Sequence, residues 1–208
     1  MARKPAHEQF DTLKAIQDRA FDLFGRFGYD GVSIGAISSA AGLSKGALYW
    51  HYESKEALFL ACLRRLHSLF DGHIFDRMRE PGGDPEARVL RLFQGMARLL
   101  QDPLVRNGIA GYWLIPDGPE TAALAAEQRG FEARSAQAIR DVLAAGVDAG
   151  RFDFGNDLDD MSRAIISIVE AVILPLRHQT PDDVHRTLRV LARTLFRAYD
   201  TSGALPQF

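Results

Sequence analysis

Between Ser33 and Leu58, apolar residues recur at helical spacing and each run is preceded by a residue suited to start a helix. Ser33 stands before Ile37 and Ala41, four apart on one face, and its hydroxyl can accept from free N–H groups of a first turn. Gly42 follows, where a left-handed backbone carries no Cβ penalty, then Leu43 fills the corner and Ser44 caps the next helix. That second helix, about Lys45 to Tyr52, buries Leu48 and Tyr52. Ser54 caps a third helix whose first turn holds Lys55. The spacing predicts a helix-turn-helix.

The rest of the pattern is also helical. Leu58 to about Arg79 reads as one long connecting helix, closed by the breaker run Glu80-Pro81-Gly82-Gly83. Asp84-Pro85-Glu86, Asp102-Pro103, Asp117-Gly118-Pro119-Glu120 and Thr180-Pro181-Asp182-Asp183 each set a cap before a first-turn proline, so each starts a helix. A helix from about Pro119 to Ala149 carries an apolar stripe of Leu124, Phe131, Ile139 and Val142, with Gln128 and Ser135 on the same face. Residues 164 to 176 are apolar nearly all round. The last helix aligns Val184, Leu188, Leu191, Leu195 and Tyr199 against a stripe of Arg186, Arg189, Arg193 and Arg197. No β-alternation, repeat or low-complexity tract interrupts this, and about nine helices account for an all-α chain.

With 208 residues, 47% of them hydrophobic, the chain can bury a sizeable core. No apolar run reaches the ~18 residues that span a bilayer, and the polar N-terminus lacks the apolar stretch of a signal peptide, so a cytoplasmic location and no membrane partner are expected. The lone Cys62 fits a reducing compartment and, among apolar neighbours, reads as a small buried hydrophobe rather than a redox sensor. Net charge is -2. Through residue 60, seven basic residues (Arg3, Lys4, Lys14, Arg19, Arg26, Lys45, Lys55) balance seven acidic ones (Glu8, Asp11, Asp18, Asp22, Asp30, Glu53, Glu56). Bulk charge therefore does not argue for nucleic acid; the positions of Lys45 and Lys55 do.

With Leu48 and Tyr52 turned inward, the second helix leaves Lys45, Gly46, Ala47, Tyr49, Trp50 and His51 outward. At 1.5 Å per residue it is ~12 Å long, a fit to a DNA major groove. Ser33, Ile37, Ala41-Gly42-Leu43-Ser44, Gly46, Leu48-Tyr49, His51-Tyr52 and Ser54-Lys55-Glu56-Ala57-Leu58 together resemble the DNA-binding domain of tetracycline-repressor (TetR) family regulators. Ile16, Ala20, Leu23-Phe24 and Gly28-Tyr29 resemble that family's first helix and its exit. Ser38 stands where a small alanine is usual, Leu43 where valine is common and Ala36 where an acid is frequent; none of these removes a DNA contact.

The resemblance implies a three-helix DNA-binding domain at 1–56 and a larger helical domain at 57–208 that binds an effector and dimerises. Ser33, Ser44, Lys45, Tyr49, His51 and Lys55 are then expected on the sugar-phosphate backbone. Gly46 allows close approach, and Ala47 and Trp50 read base edges. Arg3 and Lys4 are candidates for a minor-groove arm or simply a disordered tail. Phe93, Met96, Tyr112, Trp113, Gln128, Phe131 and Ser135 are candidates for an effector cavity; core packing, with helix-to-helix hydrogen bonds for Gln128 and Ser135, is the alternative. Ile165, Ile168, Val169, Val172, Ile173, Leu188, Leu191 and Leu195 are candidates for a two-fold four-helix interface in a homodimer. Glu170, alone in a greasy helix, is a candidate for an interface rim, a buried pair or a cation site. The arginine stripe reads as a solvated face.

Catalytic, metal and cofactor chemistry find no support. Asp153-Phe154-Gly155 copies a kinase triplet without its other motifs. The acids from Asp153 to Asp160 lack EF-hand spacing, and Asp157 to Asp160 fit the start of a helix. His67 and His73 are six apart, the wrong interval for shared ligation. The expected protein is thus no enzyme but a ligand-responsive repressor, released from a near-palindromic double-stranded operator by a small apolar or amphipathic effector. A DNA-bound scaffold controlled by a protein partner is the alternative, and an enzyme using the C-terminal cavity a more distant one.

Overall fold

A computed structural model describes the backbone of residues 6–80, 83–155 and 157–199, and side chains within 12–80, 83–155 and 157–195. Arg3, Lys4, Pro81 and Gly82, and the side chains of Arg197 and Tyr199, lie outside the described residues. Every regular element among the described residues is helical, and none is long and apolar enough to cross a membrane. The chain forms two compact units, one from 1–66 and 107–128, the other from 67–106 and 129–208.

The first unit begins with α1 (Ala6–Phe27), followed by α2 (Ile34–Ala40), α3 (Lys45–His51) and the start of α4 (Lys55–Phe70). The local chemistry follows the sequence closely. Ser33, Ser44 and Ser54 accept through Oγ from the N–H groups of Ala36, Ala47 and Ala57 at 3.0, 3.2 and 3.0 Å. Gly42 takes φ 69°, while its N–H donates to Ser39 and that of Leu43 to Ser38, the paired bonds that close a helix through a left-handed residue. Ile37 and Leu48 are fully buried beneath the turn. Tyr52 is only half-buried, because its hydroxyl sits at the surface accepting from Gln17 Nε2 at 2.8 Å.

The rest of this unit comes from far along the chain. A short 3-10 turn, Ala110–Trp113, returns Tyr112 to a cluster with Phe21 and Phe59, ring centroids 5.3 and 5.2 Å away, and Phe24 packs edge-on to Phe59 at 4.8 Å. The buried Tyr112 hydroxyl donates to the Phe21 carbonyl at 3.0 Å. Backbone meets backbone here: a Cβ on Gly111 would lie 2.1 Å from the Phe24 oxygen and 2.5 Å from the Gly28 nitrogen. Cys62 is buried in this unit, and burial pushes its thiol up to about 12, with a smaller opposing effect from a Tyr112 hydrogen bond.

In the second unit the expected single helix to Arg79 is interrupted. After α4 the chain widens into a π-helical turn, Asp71–Phe75, before α5 (Asp76–Arg79). Then come α6 (Pro85–Leu99), α7 (Pro103–Asn107), α8 (Ala122–Asp148), α9 (Leu158–Leu176) and α10 (Pro181–Tyr199). Asp84 and Thr180 cap as read, accepting from Ala87 and Asp183 N–H groups at 2.8 and 3.2 Å. Residues Pro119–Thr121 are a 3-10 turn rather than the first turn of α8. Asp157 sits at the start of α9 but makes no side-chain cap bond; Asp159 pairs instead with Arg140 and Asp160 with Arg163.

The nearly all-apolar α9 buries Ile165, Ile166, Val169, Ile173 and Leu176 within its own unit, leaving Ala164, Ile168, Ala171 and Pro175 exposed. Leu188 of α10 is likewise fully buried and Val190 is 63% exposed. Four of the eight residues expected at a subunit interface, Ile165, Val169, Ile173 and Leu188, are therefore core. Ile168 is 41% exposed, and Val172, Leu191 and Leu195 are half-buried. The sequence could not separate the two sets, because an apolar residue on an apolar helix looks the same whichever neighbour covers it.

Candidate nucleic-acid interface

The helix-turn-helix folds so that chemically related side chains come together. Ser33 precedes α2, Lys45 and Tyr49 stand on α3, and Lys55 opens α4. These four line one concave surface of about 600 Å³, together with Asp30, Gly35 and Ala36. Ser33 and Ser44 are exposed, and capping uses only their acceptor capacity, so each O–H remains able to donate to an anion. Tyr49 is 52% exposed and Trp50 69%, unusual exposure for large aromatics.

Lys55 holds its ammonium 4.2 Å from the centre of the Tyr29 ring, which orients the charge without neutralising it. Among the described residues neither Lys45 nor Lys55 has a carboxylate within ion-pair distance. Burial lowers the pKa of His51, so its ring is mainly neutral at pH 7 and acts as a hydrogen-bonding group. That ring meets Trp50 edge-on at 4.7 Å. Gly46 is exposed and Ala47 half-buried beside them. Of the expected DNA contacts, Ser44, Gly46, Ala47, Trp50 and His51 lie on or beside α3 but outside the concavity. Gly35, Ala36, Asp30 and Tyr29 were not anticipated; the one trace in the sequence was a glycine spent inside a short helix, where alanine is preferred.

The expected effector residues divide between the units. Tyr112, Trp113 and Gln128 belong to the first, where Tyr112 serves the aromatic core. Phe93, Met96, Phe131 and Ser135 belong to the second and are buried. The Phe131 ring stacks on buried His67 at 4.0 Å and 4°, with Phe70 and Phe75 presenting edges. Ser135, one turn further and 1% exposed, has an Oγ with no hydrogen-bond partner among the described residues. Glu170 lines a separate groove of about 700 Å³ between α8 and α9, where burial and then the like charge of Glu132 raise its pKa.

An all-helical chain presenting these groups on a capped helix-turn-helix is of the DNA-binding class. Residues 16–62 match the profile of the bacterial regulatory proteins of the tetR family. An uncharacterized HTH-type transcriptional regulator of Bacillus subtilis (strain 168), YezE, is 30% identical over 138 residues, 63% of this chain and 66% of that protein. The chain thus spans just under two thirds of that relative's length, and about a quarter of the next curated relatives. A TetR transcriptional regulator from Chloroflexus aurantiacus J-10-FL shares the fold with a TM-score of 0.77 at 21% identity, over 93% of this chain and 98% of that one. A SmeT–triclosan complex shares it with a TM-score of 0.72 at 22% identity, over 95% and 98%. Residues 16–62 are thus a DNA-binding domain of the tetR family type, and the chain as a whole is similar in sequence and fold to transcriptional regulators of that family.

Proposed function

We propose that this regulator is a cytoplasmic repressor that binds a near-palindromic operator as a homodimer and leaves it when a small apolar or amphipathic effector binds. The observation that carries the DNA reading is the convergence of Lys45, Lys55, Tyr49 and Ser33 on one concavity in which neither ammonium has a carboxylate partner among the described residues. Two cations lining one concavity favour an anion there, and a phosphate bound by them releases counterions. Ser44 and His51 add backbone contacts, exposed Gly46 lets α3 approach, and Ala47 and Trp50 meet base edges. Functionally, residues 1–56 read DNA and 57–208 hold the effector and the partner subunit.

Support for a dimer is the apolar surface left on α9 and α10, with Ile168 exposed and Val172, Leu191 and Leu195 half-buried, which a second copy could cover. Two-fold symmetry then sets half-sites about 34 Å apart or at a related spacing. Support for an effector of mixed polarity is the buried Ser135 hydroxyl, which has no hydrogen-bond partner among the described residues and would gain one from a polar group of a ligand. SmeT, similar in fold, has been solved with triclosan. An effector that favours one conformation over another would shift operator affinity by the ratio of its two affinities.

Lys55→Ala tests the DNA reading. Titrated against a duplex of mixed sequence at several salt concentrations, the variant should bind more weakly, with a salt slope shallower by about 1. Unchanged affinity and slope would remove Lys55, and with it the concavity, from the interface.

A further inference from the structure

Gly35 occupies the second position of α2, where a residue with a side chain would support the helix better. Its φ is not in the left-handed region, so the backbone does not ask for glycine there. What the position does ask for is space. A Cβ at Gly35 would lie 2.9 Å from Lys45 Cε, 3.4 Å from its Nζ and 3.6 Å from Ser33 Oγ. The lysine stem therefore lies across the bare Cα, and its ammonium and the Ser33 hydroxyl both border the space that a Cβ would fill. No backbone atom is among these neighbours. The glycine accommodates a movable charged side chain rather than a rigid part of the fold.

We infer that Gly35 is a positioning residue for the nucleic-acid interface, holding Lys45 against α2 so that its ammonium joins Ser33, Tyr49 and Lys55 in one anion-binding concavity. This rests on the DNA-binding reading above and adds to it a residue that touches no DNA. Lys45 has no carboxylate among the described residues to hold it, so the space left by the glycine sets where its charge sits. A methyl group at position 35 would drive the last carbons of the lysine outward and separate its charge from Lys55. Two ammoniums that line one concavity both act on an anion bound there, and displacing one weakens that site.

The test uses the full chain as Gly35→Ala, Lys45→Ala and the double variant, with a duplex of about 30 base pairs and mixed sequence as probe, followed across a salt series. Gly35→Ala should weaken binding by about three- to tenfold at low salt and make the slope shallower by up to about 0.9 per protomer. Its melting temperature should hold or rise. The double variant should bind like Lys45→Ala alone, because the glycine acts only through the lysine. Isotope-labelled methyl groups placed on the lysine amines give a readout without DNA. The Lys45 signal, identified by its absence in Lys45→Ala, should shift in Gly35→Ala while that of Lys14 does not.

Wild-type affinity and slope in Gly35→Ala would overturn the inference, as would a loss in the double variant beyond that of Lys45→Ala. A Gly35→Ala protein that fails to melt cooperatively would also overturn it, since backbone and not lysine would then fill the space. If the wild-type chain shows no salt-dependent binding, the DNA reading falls. The Lys45 methyl signal then decides the positioning separately.

Discussion

Two concave, charged surfaces of similar size, about 600 Å³ in the first unit and 700 Å³ in the second, handle their charges in opposite ways. In the α8–α9 groove, Arg140 pairs with Asp159 and Arg163 with Asp160, so two of its three lining arginines are matched by acids of α9. At the helix-turn-helix, Lys45 and Lys55 line a concavity with Asp30 but have no acid at ion-pair distance among the described residues, and the Tyr29 ring lies against the Lys55 ammonium. Formal charge would not distinguish them, because the first 60 residues are balanced overall. The difference lies in which carboxylates can reach which cations.

The units also differ in what holds them together, and variants can press on that. The largest effect is expected for Gly111→Ala: its Cβ would strike the Phe24 oxygen and the Gly28 nitrogen, neither of which can swing aside, so about 3 kcal/mol or more of stability should be lost in thermal or urea melts. A stability within about 0.5 kcal/mol of wild type would mean that this backbone contact is not a determinant of the first unit. Tyr112→Phe should cost about 1 kcal/mol, by leaving the Phe21 carbonyl buried without its donor. The groove should respond far less. Asp159→Asn, which frees Arg140 on an exposed face, should change stability by no more than about 0.5 kcal/mol. A larger loss would make the groove pairs structural and weaken the contrast.

The smallest effect concerns pH. Burial alone would raise the Asp18 carboxyl, but bonds from Lys14 and Arg65 at 2.5 and 2.7 Å, with their charges, outweigh it and hold the pKa below 3.8. A carboxyl depressed on folding contributes stability above 3.8, and that contribution fades as pH falls through the lower, folded value. Melting curves taken from about pH 5 down to about pH 3 should therefore fall less steeply for Asp18→Asn than for wild type. Identical slopes would show that the triad has no net effect, as its partial exposure allows.

Much of the helix-turn-helix was legible because its determinants are short-range. A serine three residues before an N–H, or a glycine one residue past a helix, does its work within a single turn, so Ser33, Gly42, Ser44 and Ser54 could be read one by one. Asp84 and Thr180 were legible for the same reason. Asp157 stands at the N-cap of α9 as its place in the acidic run suggested, with Asp159 and Asp160 in the first turn, but it makes no side-chain cap bond. Tyr112 is the clearest case of what could not be read: an aromatic near Trp113 looks equally suited to a cavity wall or a core. Only its return to Phe21, 91 residues earlier in the chain, assigns it to the first unit. The π-helical turn at Asp71–Phe75 left no local signature, and the apolar positions of α9 and α10 did not reveal which were covered.

The sequence by itself determined the helices, their caps and the turn that makes a recognition helix, because these depend on backbone chemistry among residues four or five apart. The tertiary structure decided which cations stand together without acids, which apolar residues are core, and why Gly35 matters. Those are questions of distance between groups remote in sequence, and electrostatic and steric energies depend on separation in space.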